Sequence, residues 1–146
     1  MNAEKRIVPN EILLAAAGEL LEEGKDVTLL VKGNSMLPYL HNEEDSICIR
    51  KMPSVAVGDI VLAQIAPGHY VVHRIFALDG EAVTLMGDGN IRGTESCTKA
   101  DILGTVVSFI RPSGRTVIPG KGRIWRAFLP VRRYILFIHR KLKKIL

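Results

Sequence analysis

Ser35, in Gly33-Asn34-Ser35-Met36-Leu37-Pro38, follows an apolar run and is bracketed by turn-forming residues, which presents its hydroxyl instead of burying it in a ladder. Such a hydroxyl becomes a nucleophile only with a neutral imidazole or amine within hydrogen-bond reach. His73 is the candidate base. It interrupts the apolar run Tyr70-Val71-Val72-His73-Arg74-Ile75, and the period-two alternation of a strand sends His73 and Arg74 to opposite faces. Asp88, in Gly87-Asp88-Gly89-Asn90, ends the next apolar run, which a turn at Asp79-Gly80 would fold back beside the His73 strand. A carboxylate there can hold the imidazole tautomer and stabilise the imidazolium. Taken singly, each residue has an ordinary reading: a turn serine that bonds locally, a satisfied polar histidine and a turn-forming aspartate.

Several elements must position these groups. Asn10 is a suitable N-cap, and Ile12, Leu13, Ala16, Ala17, Leu20 and Leu21 recur with helical spacing before Gly24, which predicts an amphipathic helix over 11–23. From Val27 the chain turns β-rich, with expected strands at 27–32, 46–51, 59–65, 69–78, 81–86 and 102–110. Short strands with no helices between them favour an antiparallel, partly closed sheet over parallel βαβ units.

The chain has 146 residues, 47% of them hydrophobic and 24% charged, and a mean hydropathy of +0.17. These values fit one globular core and exclude a disordered chain, a collagen-like fibre or a disulfide miniprotein. The longest apolar runs fall far short of the ~20 residues a membrane-spanning helix needs. Met1 to Pro9 shows no secretory signal pattern, so the expected location is the cytoplasm. Cys48 and Cys97 are expected to be reduced. No cofactor is expected: metal-ligand spacing is absent, and Gly87-Asp88-Gly89-Asn90 lacks the lysine and following helix of a phosphate loop. His41, His69 and His139 read as surface residues.

The formal charge of +5 is unevenly distributed. Residues 1–120 carry 11 Lys and Arg against 15 Asp and Glu, whereas residues 121–146 carry 9 Lys and Arg and no acid. The chain therefore divides into a domain, 1–120, and a basic tail, 121–146. In the tail, Val131, Tyr134, Ile135, Ile138, Leu142, Ile145 and Leu146 fall within one helical arc, Leu136 and Phe137 break the pattern, and Pro130 separates this helix from a segment holding Trp125 and Phe128. Such a helix suits an anionic membrane surface, a protein partner or its own domain. Nucleic acid is not expected, given the acidic balance of residues 1–120 and the absence of a recognition-helix motif.

Four ordered blocks, Gly33-Asn34-Ser35-Met36-Leu37-Pro38, Val57-Gly58-Asp59-Ile60-Val61, Val72-His73-Arg74-Ile75 and Gly87-Asp88-Gly89-Asn90, together resemble the type I signal peptidase superfamily, most closely its archaeal and endoplasmic-reticulum branch. The resemblance covers roughly residues 28–110. It implies a mainly β fold, Ser35 as nucleophile, His73 where bacterial enzymes use lysine, Asp88 from the Gly-Asp block, and cleavage of extended peptides, commonly after small residues. The sequence departs from the branch in lacking an N-terminal anchor and in having only Glu95 as an acid between Ile91 and Lys99. The related self-cleaving repressor peptidases share a Ser-Met block and use lysine as base. Ala17-Gly18 resembles their cleavage dipeptide, but it lies inside the predicted helix close before Ser35, so self-cleavage is not expected.

The resulting expectation is a serine endopeptidase acting through Ser35, His73 and Asp88, with peripheral attachment to a membrane through the tail. Its counterpart is a peptide- or membrane-binding module that keeps the groove and hydrolyses nothing. An imidazole base must be neutral, so activity should fall as the pH drops through the histidine range.

Overall fold

A computed structural model describes residues 10–33, 35–89, 93–127 and 129–145. Expectations that fall on Met1–Pro9, Asn34, Asn90, Phe128 and Leu146, and on the side chains of Asn10 and Ile145, lie outside what it describes.

Helix α1 (Asn10–Glu22) forms where the apolar spacing predicts it. Gly24 ends it at a positive φ of 82°, a conformation in which a side chain is strained. Leu14, Ala17 and Leu21 share one face and are buried, while Ile12 and Leu20 remain exposed.

The strands that follow are β1 (Val27–Leu30), β2 (Ser46–Arg50), β3 (Ile60–Ala66), β4 (His69–Asp79), β5 (Ala82–Met86), β6 (Glu95–Thr98), β7 (Ile102–Ile110) and β8 (Thr116–Val117). They make one antiparallel sheet in the order β1-β2-β7-β3-β4-β5-β6, with β8 paired to β7. Its ends do not meet, so the mainly β fold expected from the sequence is present as an open sheet. The β4–β5 hairpin turns where Asp79-Gly80 marks it, with Asp79 opposite Ala82 and Gly80 at a φ of 58°. β6 and β8 were not anticipated, because Glu95-Ser96-Cys97-Thr98 and Thr116-Val117 contain no apolar run long enough to signal a strand.

Two apolar clusters flank the sheet. Leu14, Ala17 and Leu21 of α1 join Ile47, Ile49, Ile60, Leu62, Val106 and Phe109 in the larger one. Val61, Ala63, Ile75, Val83 and Leu85 form the other. Fully burying such aliphatic side chains stabilises a fold by about 1.5–3 kcal/mol each, so these two clusters hold the sheet that carries the site.

The C-terminal region holds α2 (Arg123–Ala127) and α3 (Arg132–Ile145). Leu37, Trp125 and Leu136 form a small third cluster, with Ile135 packed against it. Arg132 lies 4.9 Å over the Trp125 ring, and His139 stacks on His41 with ring centroids 5.4 Å apart. Arg132, Ile135, Leu136 and His139 thus make the docking face. Leu136, which breaks the expected apolar arc, is buried to 1%, whereas Val131, Ile138 and Leu142 of that arc stay exposed. Helical periodicity gives an apolar face but not the surface that will cover it. Of the three histidines read as surface residues, His69 is exposed, while His41 and His139 are half-buried against each other.

Candidate active site

The site is assembled where the turn after β1 meets the middle of β4 and the end of β5. Gly33, at a φ of 86°, turns the chain out of β1 and donates its N–H to Asn42 Oδ1 at 2.8 Å. The Ser35 carbonyl then accepts the Gly89 N–H at 2.6 Å, tying the serine-bearing turn to the segment after β5. Gly87 is required at this crossing. A Cβ there would collide with the Ser35 carbonyl and lie 3.1 Å from Nε2 and Cδ2 of His73. The close approach brings the serine backbone to the Nε2 edge of the imidazole.

Ser35 and His73 line one cavity of about 160 Å³, whose walls include Leu13, Leu29, Met36 and Tyr70. His73 is buried and bonded through Nδ1 to Glu95 Oε1. Pair register explains the contact: Ile75 lies opposite Leu85, and Leu85 opposite Glu95. Ile75, Leu85 and Glu95 therefore share a face, and His73, two residues before Ile75, shares it too. With Nδ1 taken by the carboxylate, Nε2 is the imidazole nitrogen left towards Gly87 and Ser35.

Arg74 points the other way, as strand alternation requires. Its Nε donates to Asp88 Oδ1 at 2.9 Å and its Nη2 to Asp88 Oδ2 at 2.8 Å. Nη1 donates to the carbonyls of Gly58 and Gly120 at 2.8 and 2.7 Å. Both side chains are buried. The Asp88 carbonyl accepts the Trp125 indole N–H at 2.7 Å, so α2 is fastened to the same segment.

The model of the Peptidase S24-like family matches residues 3–107. The chain belongs to this family. The LexA repressor of Thermobifida fusca (strain YX) is 31% identical over 101 residues, which are 69% of this chain and 39% of the repressor. The S24-like chain thus spans about two fifths of the length of the curated relative it matches. These matches support the broad superfamily expected from the four motif blocks and do not reach its archaeal and endoplasmic-reticulum branch.

Within this S24-like site, the placement of Asp88 differs from expectation. The sequence suggests Asp88 as the carboxylate that orients His73, yet the structure commits it to Arg74. Alternation is the reason: Met86 lies opposite Arg74, and Asp88, two residues further on, follows the Arg74 side. The carboxylate on His73 comes from Glu95, the one acid the sequence offers in the interval after the Gly-Asp block. That interval held the available signal, but β6, which carries Glu95, could not be recognised as a strand.

Burial holds the Arg132 guanidinium below its ordinary value, with the Asp88 carboxylate opposing that shift. Burial also pushes the Cys97 thiol up, which makes its thiolate scarce at neutral pH. Cys97 and Cys48 are both free thiols. No helix among the described residues is long and apolar enough to cross a membrane.

Proposed function

We propose that this S24-like protein is a serine endopeptidase that works through Ser35 and His73, with Glu95 as the positioning residue. The supporting observation is the shared cavity of Ser35 and His73, together with a Glu95 bond that leaves Nε2 on the serine side. Ser35 Oγ attacks the scissile carbonyl carbon while its proton passes to His73 Nε2. The imidazolium then gives that proton to the leaving amine, and the acyl group remains on Ser35. His73 next deprotonates a water that attacks the ester carbonyl, and the imidazolium returns that proton to Ser35 Oγ as it leaves. Glu95 holds the productive tautomer and balances the imidazolium charge. Backbone N–H groups of the serine turn serve the oxyanion. Substrate approach closes Ser35 Oγ onto Nε2, since catalytic hydrogen bonds commonly tighten only in the bound complex.

Histidine, and not lysine, acts as the base in this reading. Lys32 is the lysine that lines the same cavity, but its Nζ pairs with Glu43 at 3.1 Å and it is exposed. This use of histidine is the feature shared with the archaeal and endoplasmic-reticulum signal peptidases. The cavity walls favour a substrate with a small or medium apolar side chain beside the scissile bond. β1 ends the strand order immediately before Ser35, so an extended peptide can lie along its outer edge.

The test is cleavage of a peptide library by wild type and Ser35→Ala, read by mass spectrometry. Products that appear only with wild type, at a rate roughly 10³-fold or more above the variant, are the expected result. Identical product profiles would overturn the assignment. Absence of products with both proteins favours the peptide-binding module, provided the same peptides still bind.

The repressor match favours a second reading, self-cleavage. In this structure Ala17 and Gly18 are buried in α1, and a Cβ on Gly18 would lie 3.0 Å from Leu103. Cutting there requires α1 to unwind from the core. Intact mass over prolonged incubation distinguishes the readings: the peptidase acting on other chains keeps its full mass, whereas a self-cleaving one loses its N-terminal segment in a Ser35-dependent manner.

A further inference from the structure

The C-terminal helix is attached to the domain by one face and leaves a different apolar face uncovered. Arg132, Ile135, Leu136 and His139 face inward, against Trp125, Leu37 and His41. Val131, Ile138 and Leu142 lie about a quarter-turn away at 100° per residue. Ile138 is 56% exposed and Leu142 54%, and Phe137, further round the helix, is 60% exposed. Docking therefore does not account for the apolar residues that give the helix its amphipathic pattern.

The charge of this part of the chain identifies what can cover them. Residues 121–146 carry 9 Lys and Arg and no acid. Lys141 sits 5.6 Å from the Phe137 ring. Lys121, Arg123 and Arg126 line a cleft of about 170 Å³ in the segment before this helix, with Arg74 and Asp88 paired in its wall. A second copy of this face would bring like charges together in a low-dielectric contact, which is unfavourable. Nucleic acid would satisfy the cations but leave the aliphatic stripe without an apolar environment. An anionic bilayer supplies both, with phosphates for the cations and acyl chains for Ile138, Leu142 and Phe137.

We infer that α3 is an interfacial anchor that seats the domain on an anionic lipid surface through Phe137, Ile138 and Leu142, with the lysines and arginines of residues 121–146 supplying the attraction to lipid phosphates. The anchor lies in the plane of the interface and does not span the bilayer. It holds the site at a fixed relation to the membrane, because α2 and α3 are fastened to the Ser35 and Asp88 segments through Leu37 and the Trp125–Asp88 bond. The inference is independent of whether Ser35 and His73 cleave peptides.

Co-sedimentation of the full chain with phosphatidylcholine vesicles, with and without one quarter phosphatidylglycerol, tests it. Wild type should bind the anionic vesicles at least tenfold more strongly than the neutral ones, with binding falling as salt is raised. Ile138→Ser/Leu142→Ser alters only exposed positions, so circular dichroism and the denaturation midpoint should match wild type. Its binding to anionic vesicles should fall tenfold or more. Equal binding by wild type and variant would overturn the inference, as would wild type failing to bind anionic vesicles. A concentration-dependent dimer abolished by the double substitution, without vesicle binding, would overturn it in favour of a second copy of the chain.

Discussion

His73 and Arg74 are consecutive residues of β4, each buried and each bonded to a carboxylate, yet the two side chains differ in what they leave unbonded. Arg74 uses Nε, Nη1 and Nη2 on Asp88 and the carbonyls of Gly58 and Gly120. A guanidinium satisfied in this way is a fixed charge that cannot give up a proton under ordinary conditions. His73 commits one nitrogen to Glu95 and turns the other towards the serine turn and the cavity. Saturation suits a structural pair, while a held imidazole with one nitrogen directed at a cavity suits the base of the proposed reaction. Single substitutions should separate these roles, one pair controlling rate and the other folding.

The largest effect expected is on rate. His73→Gln removes the base and should lower peptide cleavage by roughly 10⁴-fold, with an unchanged circular dichroism spectrum. A variant retaining substantial activity would transfer the base role to another group.

Glu95→Gln should follow, lowering kcat by about 10²–10⁴-fold because a carboxamide can favour the wrong imidazole tautomer and cannot balance the imidazolium. Its effect should fall on kcat more than on KM, and the acid limb of the pH–rate profile should move. A simple loss of folded protein would produce neither change. For the wild type, protonation of the base on acidification should remove activity. A pH–rate profile without an acid limb would be incompatible with a histidine base.

Arg74→Met reverses the pattern by leaving Asp88 buried without its cation. Breaking a buried pair in this way costs about 3–5 kcal/mol, read as a lower urea midpoint. The folded fraction should retain its specific activity, since Arg74 does not face the Ser35 cavity. Loss of catalysis at full stability would instead place Arg74 and Asp88 in the reaction.

The smallest effect is expected at an exposed pair of the same chemical type. Arg50 donates to Asp26 through Nε and Nη2 at 3.0 and 2.8 Å, and these bonds hold the Asp26 carboxyl below its ordinary value. A depressed carboxylate contributes stability above its unfolded pKa and loses it as the pH falls through the folded value. Solvent screens this pair, so Asp26→Asn should leave the midpoint at neutral pH unchanged within error. A shift as large as that of Arg74→Met would show that burial does not distinguish the two.

The helix over 11–23, the Asp79-Gly80 hairpin and the longer strands were legible in the sequence because each rests on short-range pattern: helical spacing, alternation or a turn dipeptide. The same alternation separated His73 from Arg74 correctly. It also contained the reason that Asp88 would follow Arg74, but that step requires knowing the β4–β5 register, which places Met86 opposite Arg74. Glu95 was visible as a lone acid, while its strand was too short and polar to be recognised. For α3, periodicity revealed an amphipathic helix but not its buried side, because Leu136 gains its cover from Leu37 and Trp125, which local pattern does not bring to it.

By itself the sequence determined the mainly β class, the choice of Ser35 and His73 as candidates for chemistry, and the concentration of positive charge at the C-terminal end. These are properties of residue type and near-neighbour spacing. The tertiary structure alone decided which carboxylate meets the imidazole and which face of the last helix stays uncovered. Both depend on strand register and long-range packing, where a one-residue change in pairing sends every side chain to the opposite face.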